Sequence, residues 1–296
     1  MIISRTLNIA ILTADPSNYS NQRMMEAGHA AGHDIYPLPT LDQIISVHSE
    51  GYIKGLHPMP DAVIPRIGVA LSSFGQILIT AFENSGIPTT TSSFGLAHSR
   101  DKFRAGQYLG NHGIHVPKTL SFASPRNIDV AIRAVGGYPF ILKKLQGTQG
   151  EAVFLINDVD KAHRKLGKYI RKRKPFLIQQ YIKESKGSDL RCFVIGGKVI
   201  AAMKRTAAND DFRANIHAGG VGQAVKLSPE EHDMAVKAAK LLKLPIAGVD
   251  ILQSDNGPLL LEVNSSPGLQ GIEKATGKDI AGEIIHYIDH MVNEHG

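Results

Sequence analysis

The chain has 296 residues, 43% of them hydrophobic and 20% charged, with a formal net charge of +6 and one cysteine, Cys192. That length predicts two domains, and the composition supplies ordinary apolar cores, so nothing suggests disorder or a need for covalent staples. A lone cysteine excludes a disulfide framework within the monomer; the apolar start reads as a strand and not a secretory signal, no run is long enough to span a membrane, and the expected location is the cytoplasm.

Asn8 to Thr13 reads as a strand and Ser20 to Ala31 as a helix, followed by short strands at Asp34 to Leu38 and Asp61 to Pro65. Between those strands, Ile44 to His57 contains Glu50-Gly51, a hairpin-turn pair. Leu71 to Asn84 has helical spacing and stops before Gly86. Strands alternating with helices predict an open, largely parallel α/β domain over residues 1–98. A long helix from Phe94 to Asn111, ending at Gly113, connects it to the remainder, residues 99–296.

The second part has a different texture. Strands are expected at Pro139 to Leu145 and Ala152 to Ile156, interrupted by Gln146 to Gly150, with a helix at Val159 to Arg173. Phe176 to Ile182, Leu190 to Ile195 and Val199 to Lys204 follow as strands. Pro229 to Leu242 is an amphipathic helix with Ser228 as its N-cap. Strands Gly248 to Leu252 and Leu259 to Asn264 precede a closing helix at Asp279 to Asn293. Such runs of strands with separate helices predict α+β layers, divided into subdomains at about 99–183 and 184–296. The basic cluster from Arg164 to Lys174 fits the solvated face and last turn of a helix. Docking of an acidic partner such as ribosomal RNA is the alternative, but no stacking series of aromatics alternates with the charges, which weighs against direct nucleic-acid binding.

The strongest chemical signal is Gly248 to Leu252, a polar turn, and Leu259 to Asn264. Positions two apart on a strand share a face, so Glu262 and Asn264 project together from an apolar strand, and Asp250 is a lone acid in another. Ionised acids in such places need cations, and oxygen donors of this kind suit magnesium. Register tests this. A two-residue loop at Asn256-Gly257 sets Asp250 opposite Val263, whereas a three-residue loop Asp255-Asn256-Gly257 with left-handed Gly257 sets it opposite Glu262. The Ser-Asp-Asn-Gly-Pro sequence favours the longer loop; the alternative is a hairpin whose acids face solvent.

Gly147-Thr148-Gln149-Gly150 between two strands is either a phosphate-binding turn or an ordinary hairpin turn. It is not a Walker loop. Of Lys143 and Lys144 just upstream, strand alternation sends one inward, where an ammonium can meet phosphates, unless both are surface lysines. Lys204-Arg205, Asp211 to Asn215 and His217 to Gly220 form an anion-handling loop by composition, or a flexible surface loop. The histidine pairs His29/His33, His112/His115 and His286/His290 have helix spacing but lack the company a zinc site needs.

From about Asn8 to the C-terminal helix the chain resembles an ATP-grasp ligase of the RimK type, the α-L-glutamate ligases. The resemblance is carried by Val63 to Gly68, Arg100 to Lys102, Gly147 to Gly150, Gln179 to Glu184, Asp189 to Cys192, Asp211 to Asn215, Gly248 to Asp250 and Glu262 to Gly268. It implies an N-terminal pre-ATP-grasp domain and two α+β subdomains gripping ATP. It also implies that Lys102 and Lys143 hold ATP phosphates, that the loop of Gly147, Thr148, Gln149 and Gly150 folds over them, and that Gln180 and Tyr181 border the adenine. Asp189 takes the ribose hydroxyls, Arg205, Arg213 and Asn215 face the γ-phosphate and acyl phosphate, and Asp250, Glu262 and Asn264 bind two magnesium ions, with manganese as a substitute. The chain departs from the family pattern at Gln180, where a glutamate is usual, and at Glu151-Ala152, where an isoleucine and a glycine are usual.

The expected reaction is the ATP-dependent addition of L-glutamate to the C-terminal glutamate of a protein or peptide, a ribosomal protein in particular, by a homodimer or homotetramer. The alternatives are the same chemistry on another acceptor (glutathione-like, carrier-protein or cofactor glutamylation) or a non-catalytic nucleotide-binding module associated with the ribosome.

Overall fold

Strand β1 (Asn8–Thr13) sends alternate side chains to opposite faces, and every one from Ile9 to Thr13 is buried. A computed structural model describes residues 5–47, 53–145, 153–207 and 220–295. Ile9 and Ile11 pack with Met24 of helix α1 (Tyr19–Ala30), while Ala10 and Leu12 pack with Leu78, Ile79 and Phe82 of helix α2 (Ser72–Asn84). The parallel neighbours of β1 are β2 (Asp34–Pro39) and β5 (Ala62–Arg66), and a small hairpin of β3 (Ile44–Ile45) and β4 (Ile53–Lys54) lies between them in sequence. Burial on both faces is what a parallel sheet requires. The turn at Glu50-Gly51 lies outside the described residues.

Instead of one long helix, α3 (Ser93–Arg100) and α4 (Lys102–Asn111) meet at Asp101. Asp101 leaves the helical region (φ −111, ψ 98), and its carboxylate accepts from the amides of Phe103 and Arg104 at 3.1 and 3.0 Å. A continuous apolar spacing conceals such a break, because the cap satisfies the first-turn amides locally.

Two further sheets follow. The first has the order β6 (Thr119–Leu120), β9 (Phe176–Gln180), β7 (Phe140–Lys144), β8 (Val153–Ile156). Phe140, Leu142, Phe176 and Ile178 turn toward helices α5 (Ile128–Ala134) and α6 (Val159–Arg171). The intervening residues face the other way. The second sheet has the order β12 (Val221–Ala224), β11 (Lys198–Thr206), β10 (Ser188–Ile195), β13 (Ile246–Ser254), β14 (Gly257–Asn264), all antiparallel. Leu190, Cys192 and Val194 pack on α7 (Pro229–Leu241), whose start is fixed by a Ser228–Glu231 capping box. On the opposite face, Phe193 and Ile195 join a core with α8 (Gln270–Thr276), α9 (Ile280–His295) and Ile9 and Ile11 of β1. The closing helix thereby ties the first sheet to the last.

Gly95 sets how close α3 comes to this body: a Cβ there would lie 2.5 Å from Leu244 and 2.7 Å from the Leu242 carbonyl oxygen. Gly95→Ala is expected to lower stability by about 1–3 kcal/mol through overpacking. Gly110→Ala, on α4, where a Cβ would meet only Val116 Cγ2 at an ordinary 3.9 Å, is expected to raise it by about 0.5–1 kcal/mol. Urea unfolding measures both; a neutral Gly95→Ala would contradict the packing.

Candidate active site

Directly opposed residues of an antiparallel ladder share a face. Arg191 opposes Asp250, and Asp250 opposes Glu262, so one row crosses three strands. Asp189 opposite Arg205 and Gly248 opposite Asn264 flank that row on the same face. The expected pairing of Asp250 with Glu262 is present, but the three-residue loop is not what produces it. Ser254 pairs with Gly257 around a two-residue turn, Asp255-Asn256, and Gly257 takes φ +98. That turn alone would set Asp250 against Leu261. A one-residue bulge, with Leu261 as the extra residue between Leu260 and Glu262, restores the pairing.

Asp250 is 1% exposed. Arg191 grips it with two donors, Nε to Oδ1 and Nη2 to Oδ2 at 2.8 Å. Arg205 donates through Nη2 to the same Oδ2 at 2.7 Å and holds Asp189 through Nε and Nη2 at 2.6 and 2.7 Å. Acid and guanidinium thus alternate, which keeps buried charge matched. Burial, reinforced by Asp250 and opposed by Arg205, pushes the Asp189 carboxyl up to about 6. Burial works against the Arg205 cation, yet Asp250 and Asp189 together outweigh it and raise its pKa. Gly248 makes room for this arrangement, since a Cβ there would fall 2.8 Å from Pro267 and 3.4 Å from Arg191 Cδ.

Glu262 meets Lys102, at the start of α4, with Nζ to Oε2 at 2.8 Å. That ammonium, against the opposing effect of burial, holds the Glu262 carboxyl well below the usual carboxylate range. Asn264 Nδ2 lies 3.4 Å from both Glu262 Oε1 and the Gly248 carbonyl. Across the cleft, Lys143 points inward and donates to Gln179 Oε1 at 2.7 Å, while Gln179 Nε2 donates to Thr119 Oγ1 at 2.9 Å. Lys144 is exposed. Burial, with Lys102 nearby, lowers Lys143 to about 8. Between α4, the β7–β9 sheet and β14 is a cavity of about 270 Å³, lined by Lys102, Phe103, Gly106, Lys143, Gln179 and Glu262 among others.

Of the residues singled out in the sequence, the structure brings together Lys102, Lys143, Asp189, Arg205, Asp250, Glu262 and Asn264. Gln180 and Tyr181 do not line the cavity. The Gln180 amide donates to the Lys118 carbonyl at 2.8 Å, and its Oε1 accepts from the Lys118 amide at 3.5 Å. Gly147, Thr148, Gln149, Gly150, Arg213 and Asn215 lie outside the described residues. Sequence reasoning gave no role to Arg191 and Gln179. The missed signal is alternation: Arg191 must share a face with Asp189, and Gln179 with Leu177, also in the cavity wall.

Among the described residues no group of three or more His, Cys, Asp or Glu side chains could hold a metal ion. The donor set is two carboxylates and an amide on adjacent strands. It fits magnesium, which takes one or two carboxylates and fills its octahedron with phosphate oxygens and water. Lys102, Arg191 and Arg205 here supply the positive charge those acids need. Asn264 would have to present its amide oxygen where its nitrogen now faces Glu262.

Residues 7–96 match the family model described as RimK PreATP-grasp domain, and residues 99–288 match that described as RimK-like ATP-grasp domain. A probable alpha-L-glutamate ligase of Aeromonas salmonicida (strain A449) is 44% identical over 290 residues, covering 96% of each chain. One of the same name from Legionella pneumophila (strain Corby) is 44% identical over 288 residues, covering 96% of this chain and 95% of the other. Among solved structures, the ATP-grasp ligase PsnB complexed with minimal precursor, Mg and ADP has a TM-score of 0.74 at 22% identity, with 96% and 98% of the chains covered, a likeness of fold. Among the described residues no helix is long and apolar enough to cross a membrane.

Replacing Lys143 by alanine is expected to weaken ATP binding by about 1.5–3 kcal/mol, the value of a charge-assisted hydrogen bond. Unchanged affinity by calorimetry would transfer the phosphate contact to another cation. Lys143 titrates at about 8 in the free protein, and bound polyphosphate raises that value. Metal-free ATP binding should therefore be strongest below pH 8 and weaken as pH rises through 8 toward 9, a dependence that Lys143→Ala flattens.

Proposed function

The chain belongs to the RimK family of ATP-grasp ligases, and from that premise we propose that it adds L-glutamate to the C-terminal glutamate of a peptide or protein acceptor. The coarser activity, ATP-dependent joining of a carboxylate to an amine, goes with the family. The observation that supports the reading most is the Arg191–Asp250–Glu262 row, whose Glu262 lines a cavity that Lys102 and Lys143 line as well. Acids and cations are interleaved there where a metal–polyphosphate, itself interleaved in charge, is to bind.

In this reading the acceptor carboxylate attacks the γ-phosphorus of ATP, ADP departs, and an acyl phosphate forms. The amine of glutamate then attacks the acyl carbon; inorganic phosphate and a proton leave, and an amide remains. Two magnesium ions, replaceable by manganese, would sit on Asp250, Glu262 and Asn264 and offset the charge of the transferring phosphoryl group. Lys143, aimed by Gln179, and Lys102 act as point charges on the phosphates. Asp189 accepts from the ribose, Gln180 and Tyr181 border the adenine, and Arg205 faces the γ-phosphate. Arg213 and Asn215 would face the γ-phosphate and the acyl phosphate beside Arg205, and the loop from Gly147 to Gly150 would fold over the phosphates and exclude water from the acyl phosphate. Loss of the usual carboxylate at Gln180 is tolerable if backbone groups read the base. The same proposal places the domain boundary at residue 98, between the spans of the two family models, and a ribosomal protein among the acceptors.

Purified protein with ATP, magnesium and L-glutamate is expected to lengthen a glutamate-ending peptide in single-glutamate steps by mass spectrometry, with aspartate and lysine poor replacements. Preferential use of lysine would remove the glutamate assignment and leave the ligase. Glu262→Gln should keep the fold and lose at least about 100-fold in turnover; near wild-type activity at saturating magnesium would exclude Glu262 from the reaction centre.

A further inference from the structure

Beside the acid row lie two guanidinium groups of a different kind. Arg66 is the last residue of β5, at the carboxyl end of the parallel sheet, where open α/β sheets take their ligands. Arg100 is the last residue of α3, two positions before Lys102. Arg66 donates through Nη1 to the Pro267 carbonyl at 2.8 Å, and Arg100 through Nη2 to the carbonyl of Ile67, the neighbour of Arg66. Among the described residues neither is paired with a carboxylate, in contrast to Arg191 and Arg205. Arg100 Nε is buried with no hydrogen-bond partner. Burial, and then the charge of Arg100, lower Arg66 to about 10, and burial lowers Arg100 as well.

Two partly buried cations near each other, with no acid and donors to spare, are costly in a folded chain unless an anion completes them. Each guanidinium has five donors in a planar fork that matches a carboxylate. The pair adjoins the reaction centre: Pro267 follows Asn264 by three residues, Ser266 Oγ donates to the Pro65 carbonyl at 3.3 Å, and Thr91 Oγ1 to the Ser265 carbonyl at 3.2 Å. The segment after β14 is therefore held against the carboxyl end of β5.

We propose that Arg66 and Arg100 form a carboxylate-binding site that recognises a carboxylate of the substrates other than the one being phosphorylated. This rests on the ligase reading and deepens it, because a glutamate-adding enzyme must hold at least one spectator carboxylate in place. Two sources share that chemistry: the side-chain carboxylate of the incoming glutamate, and the side chain of the acceptor's terminal glutamate. A phosphate group of ATP is the competing occupant, which the test separates.

Steady-state kinetics of wild type, Arg66→Met and Arg100→Met would compare L-glutamate with L-glutamine, and a peptide ending in glutamate with one ending in glutamine, alongside calorimetric ATP affinity. Each variant is expected to raise KM for the carboxylate-bearing member of one pair by about 10- to 100-fold, while its amide analogue and ATP are unaffected. The pair affected identifies the source. Equal effects on acid and amide in both pairs, or ATP affinity falling in step, would overturn the assignment. Should the methionine variants not fold, Arg66→Lys and Arg100→Lys, which keep the charge and lose the fork, carry the same comparison. If wild type makes no amide from glutamate, the function reading falls separately. Calorimetry with glutarate then decides the site: binding by wild type that weakens in the lysine variants supports it, and equal or absent binding refutes it.

Discussion

Asp250 lies almost fully buried between two guanidinium groups, and the rest of the site is arranged around the charge it carries. A carboxylate at that depth is tolerable only with matched donors, which Arg191 and Arg205 supply from the neighbouring strands β10 and β11. Those strands in turn must keep their register, since a slip of one residue would turn Asp189 and Arg191 into the α7 core. Charge matching and strand pairing are thus one constraint. It explains a bulge at Leu261 in an otherwise regular hairpin, and a glycine at 248 where Arg191 and Pro267 pass close to the backbone.

The same constraint links the site to the fold. Glu262, one strand further, draws its cation from the first turn of α4, so the break at Asp101 that starts this helix also places Lys102. The opposite wall is a separate sheet that contributes Lys143 on the face turned away from its own helices. A cleft with Glu262 on one wall and a lysine on each side follows from where strand alternation and one helix cap put these side chains. The C-terminal helix α9, by packing against α1 in the core that β1 shares, holds the amino-terminal sheet close enough for Arg66 to reach Pro267.

Much of this was legible in the sequence because the informative features were local. The strand from Asn8 to Thr13 matches residue for residue, and Asp250, Glu262 and Asn264 stand out as polar residues within apolar strands. The pairing of Asp250 with Glu262 comes from a bulge and not from a three-residue loop; a bulge depends on packing across strands, and nothing in the Ser-Asp-Asn-Gly-Pro stretch announces one. From Phe94 to Asn111 the sequence has the pattern of one helix, because apolar spacing carries across the capped break at Asp101. Arg191 and Gln179 went unassigned because their partners, Asp250 and Lys143, are 59 and 36 residues away in sequence. The Gln180 amide is committed to Lys118 by a strand pairing that spacing alone does not reveal.

In the proposed function, this charged sheet and cleft activate a carboxylate as an acyl phosphate. Transfer of oxygen from substrate to phosphate tests it most directly. An acceptor peptide labelled with ¹⁸O in its terminal carboxylate, incubated with ATP, magnesium and L-glutamate, should deliver one labelled oxygen to inorganic phosphate for each amide formed, with ADP as the other product. Amide formation that leaves phosphate unlabelled, or that releases AMP and pyrophosphate, would contradict the account.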